Sequence, residues 1–121
     1  MGQLKLITTG KGTTIGEPFP TSLACWFWCV ACLTARAEGA RFEAGKSTPK
    51  PCEPDDVVRE LVRLVERRRL RRAHVKILMH YGRMGRAPSP HARGEEANFA
   101  KLWREALERL TPPLRAKGIV R

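Results

Sequence analysis

The stretch CWFWCVAC, residues 25–32, decides the fold because it admits two architectures. Taken for its thiols, Cys29 and Cys32 form half of a zinc knuckle that Cys25 and Cys52 could complete as a four-thiolate site. Taken for its periodicity, positions 25, 29 and 32 share one helical face, and Trp26, Phe27, Trp28 and Val30 cover most of what remains. That second pattern belongs to a buried central helix in which cysteine packs as a small hydrophobe. A second CxxC pair is absent, and Cys52 must return across a 19-residue spacer. The core reading therefore comes first. One structural zinc on Cys25, Cys29, Cys32 and Cys52 stays open beside it, the alternative being no cofactor at all.

Upstream, EPFPTS places two prolines and a cap residue, Thr21 or Ser22, directly before this segment, so a helix is expected over about 21–38, ending near Gly39. The first residues, MGQLKLITTGKGTTIG, alternate weakly and break at Gly10-Lys11-Gly12. A short N-terminal β-hairpin or arm over 1–20 follows. Downstream, residues 39–54 are loop-like, rich in Gly, Pro and Lys. Their Gly45-Lys46-Ser47 lacks the helix start that a phosphate loop needs, because Pro49 and Pro51 come next.

The rest of the chain is helical by pattern. Pro54 suits a first turn, and Asp55 and Asp56 sit where the helix dipole favours acids. Val58, Leu61, Val62 and Val65 recur at helical spacing. RRRLRR, residues 67–72, interrupts that stripe, and Leu70, Ile77, Leu78 and Tyr81 resume it up to Gly82, which predicts two helices with a bend or short turn between them, one long helix being the alternative. Pro88 and Pro90 make RMGRAPSPHARG a loop. A last helix is expected from Glu95 to Leu110, its apolar face made of Phe99, Leu102, Trp103, Ala106, Leu107 and Leu110. Glu105 and Arg109 are placed to pair at i,i+4, and Thr111-Pro112-Pro113 is expected to stop the helix. The fold class is mainly α: a small bundle of three to four helices, with 21–121 a single helical domain and 55–121 its basic region.

Charge points to a class of partner. The 121 residues carry 23 Lys and Arg against 12 Asp and Glu, a net charge of +11. Between Arg67 and Gly94 there is no acid at all, while nine bases and all three histidines fall inside. Arginine dominates, and its planar fork matches phosphate. The expected partner is nucleic acid, DNA before RNA, with Arg67, Arg68, Arg69, Arg71, Arg72 and Lys76 along phosphates and Arg83, Arg86 and Arg93 reaching toward a groove. His74, His80 and His91 form no catalytic arrangement, and no Ser/His/Asp or HExxH pattern occurs, so an enzyme is not expected. The longest apolar run, about 13 residues, falls short of the ~20 a membrane span requires. A cytoplasmic setting is the default. The alternative function is a zinc-stabilised adaptor or inhibitor meeting an acidic protein of the transcription machinery, and an exposed apolar helix face could serve a homodimer.

AHVKILMHYGR resembles the first helix of sigma-factor promoter-reading and related helix-turn-helix domains through Val75, Leu78, Tyr81 and Gly82. KLWREALERL stands where that family has its last helix, through Ala106, Leu107 and Leu110. The resemblance covers about 40 residues and implies helical DNA binding in transcription regulation. In the space where the family places two further short helices, this chain has RMGRAPSPHARGEE.

Overall fold

A computed structural model of the chain describes residues 5–9, 12–39 and 49–121, with backbone alone for 5–9 and 12–15. The turn expected at Gly10-Lys11 and most of the expected 39–54 loop, residues 40–48, lie outside the described residues. Strand β1 (Lys5–Thr9) pairs antiparallel with β2 (Gly12–Gly16), Leu6 opposite Ile15 and Thr8 opposite Thr13. Four helices follow: α1 (Ser22–Ala37), α2 (Pro54–Glu66), α3 (Arg72–Met84) and α4 (Glu95–Ala116). The protein is a mainly α bundle, as its periodicities require.

Helix α1 is the centre. Thr21 caps it, its hydroxyl accepting the Ala24 N–H at 3.1 Å. Cys25, Trp26, Cys29 and Val30 are almost wholly buried. The Trp26 indole N–H donates to the Leu78 carbonyl at 2.8 Å, which satisfies the one polar atom of a large buried side chain. That bond is reachable because α3 passes close over α1 at Gly82. A Cβ there would stand 2.8 Å from Val30 Cγ2 and 2.9 Å from Trp26 Nε1. Phe27 meets Trp103 of α4 at a centroid distance of 5.7 Å, and Tyr81 meets the same indole edge-on at 6.0 Å. The expected contact between the Cys/Trp helix and the last helix is therefore present, while Phe99 lies only half-buried at its margin.

Helix α2 departs from its expected stripe. Val57 and Leu61 face the core, but Val62 and Val65 are 46% and 40% exposed. Buried polar residues, Asp56 and Glu60, occupy the rest of the inner face. Both are satisfied. Asp56 accepts the Glu53 N–H at 2.9 Å and pairs with Arg59, while Glu60 holds Arg63 at 3.1 Å and Lys117 at 3.2 Å. Helical spacing finds apolar rows, but it cannot see that carboxylates whose oxygens are hydrogen-bonded and ion-paired can replace apolar residues inside.

Helix α4 also differs: it runs through Pro112 and Pro113 to Ala116. Proline removes an N–H and crowds the carbonyl four residues back. Here those carbonyls belong to Glu108 and Arg109, on an exposed face, and continuing the helix buries Leu114. The terminal segment then folds back. The Phe19 N–H donates to the Ile119 carbonyl at 2.8 Å, and the Arg121 N–H to the Phe19 carbonyl at 3.0 Å. Glu105 and Arg109, expected to pair with each other, each turn to another partner described below.

Candidate nucleic-acid interface

The arginine run is an ordered turn built around one buried side chain. Leu70 is 2% exposed and plugs the core, which forces Arg67, Arg68, Arg69, Arg71 and Arg72 outward. Helix α2 ends in a two-bond closure: the Arg69 N–H donates to the Leu64 carbonyl at 2.8 Å, and the Arg68 N–H to the Val65 carbonyl at 3.0 Å. This Schellman geometry requires a left-handed residue just past the helix, a position that favours glycine. The other three helices follow that preference with Gly39, Gly85 and Gly118, all at positive φ. Helix α2 instead has Arg68 at φ +60°, the only non-glycine in that region among the described residues. An L-residue there costs roughly 1–2 kcal/mol. The turn thus carries a charge where a glycine would be more stable.

His74 holds the turn in place. It is fully buried; its Nδ1 accepts the Arg71 N–H at 3.1 Å, so Nε2 carries the proton and donates to Glu105 Oε1 at 3.0 Å. This bond from His74, above all, holds the Glu105 carboxyl below the ordinary glutamate range. The Arg109 guanidinium donates to the Arg69 carbonyl at 3.1 Å from the α4 side. The Glu105–His74 and Arg109–Arg69 contacts were not legible in sequence. They join residues 31 and 40 positions apart and leave no periodic signal.

Helix α3 extends the basic surface. Arg72, Lys76, His80 and Arg83 follow one another at i+4, i+4 and i+3 and are all exposed, so they form one row. The helix contains no acid. Arg83, expected in a loop, belongs to this row because α3 continues to Met84. Arg86 and Arg93 lie in the segment 85–94, exposed, beyond the far end. With 13 residues in α3, the arginine turn and Arg83–Arg86 stand roughly 18 Å apart at 1.5 Å per residue. Of the nine expected cations, Arg72, Lys76 and Arg83 thus share one row, with Arg67, Arg68, Arg69 and Arg71 at one end of it and Arg86 and Arg93 beyond the other. None makes an ion pair among the described residues, whereas Arg36, Arg59, Arg63, Lys117 and Arg121 all do.

The thiols occupy the other side of α1. Cys25, Cys29 and Cys52 are core residues, and Cys32 is half-buried. The Cys29 Sγ–H donates to the Pro54 carbonyl at 3.6 Å, and Arg36 meets Asp55 at 2.8 Å, so the cysteine face of α1 runs along the start of α2. Burial, with the neighbouring thiols adding to it, pushes Cys25 far up. Burial also raises Cys29 and Cys52 to about 12 each. Neutral thiols of this kind are packing groups. Among the described residues no group of three or more His, Cys, Asp or Glu is arranged to hold a metal ion.

The residues that carry the helix-turn-helix resemblance are largely interior: Leu78, Tyr81, Gly82, Ala106 and Leu110 are buried, Val75 and Leu107 half-buried. Residues 85–94 contain no helix. No helix of the described residues is long and apolar enough to cross a membrane. No protein-family model, curated protein or solved structure matches the chain.

Proposed function

We propose that this chain binds nucleic acid, DNA in preference to RNA, as a small regulator of transcription. In this reading the exposed face of α3 lies along the phosphate backbone. The observation that carries it is the segment from Arg67 to Arg86, which contains no acid and whose cations make no ion pair among the described residues, built on helix α3 and headed by Arg68 in a left-handed position. A merely solvated face has no use for arginine at a site where glycine is more stable, whereas strained residues gather where function holds them. The ~18 Å row spans about five nucleotides of one strand at 3.4 Å each. Phosphate contact supplies affinity without reading sequence; Arg86 and Arg93, beyond the helix, are the candidates for base edges. Arg68→Glu with Arg72→Glu is expected to weaken binding to all duplexes alike in fluorescence anisotropy. Unchanged affinity would reduce the track to a solvated surface. Selection from a random duplex pool then separates a sequence reader from a backbone binder.

The second reading, a zinc-stabilised adaptor for an acidic protein, draws on the four thiols along the α1–α2 contact. A zinc ion there would have to drive the deprotonation of three thiols that burial keeps neutral. One zinc per chain in the purified protein, together with no duplex binding, would favour it.

A further inference from the structure

Beside the arginine turn lies a cleft of about 360 Å³, lined by Leu64, Arg67, Arg69, Glu108, Arg109, Pro112 and Pro113. Its composition is unlike that of the α3 track. Three arginines and one glutamate line it together with a leucine and two prolines, and the Arg109 guanidinium is fixed by its bond to the Arg69 carbonyl at 3.1 Å. The two prolines have a second consequence. With no N–H at 112 and 113, α4 offers no donor to the carbonyls of Glu108 and Arg109, two residues that border the same cleft. The cleft therefore combines three cations and one carboxylate with an apolar surface, beside a stretch of α4 whose carbonyls at 108 and 109 lack their i+4 donors.

We infer that this cleft is a nucleotide site. One phosphate sits on Arg67, Arg69 and Arg109, the base lies against Leu64 and Pro112–Pro113, and the freed carbonyls accept from a sugar hydroxyl or a base amino group. A phosphate alone would leave the apolar wall and the acceptors unused, and an apolar ligand would leave three cations unpaired. A nucleotide matches all three. The inference rests on the reading of the chain as a nucleic-acid binder, and it names an unpaired nucleotide of a strand as the unit taken here, in contrast to the duplex backbone along α3.

The test is an NMR titration of the full chain, observing leucine and methionine methyls and arginine side-chain nitrogens. The probes are adenosine 5′-monophosphate, adenosine, inorganic phosphate, a short single-stranded oligoadenylate and a short duplex. The monophosphate is expected to shift the Leu64 methyls and Arg109 Nε while leaving Met84, at the opposite end of α3, unmoved. It should bind about ten-fold tighter than either of its parts, since stacking on an apolar wall and ion pairing each contribute. Arg67→Gln should abolish this binding while keeping the fold, judged by unshifted core methyls, because the exposed Arg67 side chain makes no ion pair among the described residues. Arg109→Gln should abolish it too, while also removing the bond to the Arg69 carbonyl. The oligoadenylate should bind more tightly still at the same residues. Equal affinity for the monophosphate and inorganic phosphate, or shifts at Met84 and not at Leu64, would overturn the nucleotide site; the monophosphate outcompeting the strand would overturn its assignment to a strand. If duplex binding survives while the monophosphate has no effect, the cleft alone is wrong. If duplex binding is absent as well, the underlying function falls with it.

Discussion

Replacing Arg68 with glycine should make the protein more stable and a weaker binder at once. The φ of +60° at Arg68 costs an L-residue roughly 1–2 kcal/mol, which glycine does not incur. Glycine returns part of that gain through its freer unfolded chain, roughly 0.5–1 kcal/mol. The net expectation is a stabilisation of about 0.5–1 kcal/mol, seen as a midpoint shift of about 2–5 °C in thermal denaturation. No compensating loss is expected, because the exposed Arg68 side chain makes no ion pair among the described residues. Arg68→Ala keeps the Cβ and hence the strain, so its midpoint should stay near wild type. The same glycine variant should bind duplex several-fold more weakly and lower the salt slope by about 0.9, one phosphate contact. If Arg68→Gly is no more stable than Arg68→Ala, the strain reasoning is wrong. If it is more stable and binds equally well, the arginine is not there for a polyanion.

Three other outcomes follow from the packing. Gly82→Ala drives a methyl into Val30 and Trp26 at 2.8 and 2.9 Å, and should cost about 1–3 kcal/mol in urea denaturation; a neutral result would mean α1 and α3 are not locked at this crossing. Among the thiols, Cys32 should alkylate first at neutral pH, with Cys25, Cys29 and Cys52 protected until the fold opens. Because Cys29 and Cys52 rise from 9.0 to about 12 on folding, their stabilisation is whole below pH 9 and drains away as pH climbs toward 12. Simultaneous modification of all four thiols in the native protein would contradict this. At the acid end, the lowered Glu105 carboxyl contributes stability above its ordinary value of 4.5 and loses it as pH falls through the lower folded value. Glu105→Gln should therefore flatten the acid limb of the stability curve, and an unchanged limb would remove Glu105 from the clamp.

The helices were legible because their signals are local. Thr21 caps α1, Pro54 and two aspartates open α2, and Leu70, Ile77, Leu78 and Tyr81 mark the third apolar row, each readable within a few residues. The same locality misled at Pro112–Pro113, where the gain from burying Leu114 outweighs two missing hydrogen bonds on an exposed face. It misled again at Val62 and Val65, since nothing nearby in sequence signals that Glu60 meets Lys117. The basic residues were visible as a block, but not as a track with an ordered head. That order comes from Leu70 as a plug, from His74 bridging Arg71 and Glu105, and from Arg109 across the turn, all of them tertiary contacts. The left-handed Arg68 was likewise hidden, because composition records an arginine and not its φ.

The most direct test of the central claim is the affinity of the purified protein for a labelled duplex, measured between about 50 and 200 mM salt. A phosphate track along α3 predicts a straight fall of log affinity with log salt. Its slope should correspond to several contacts, shrinking by about 0.9 for each of Arg68, Arg72 and Lys76 neutralised. Binding that is absent at low salt, or that keeps its full slope when those three charges are removed, would contradict it.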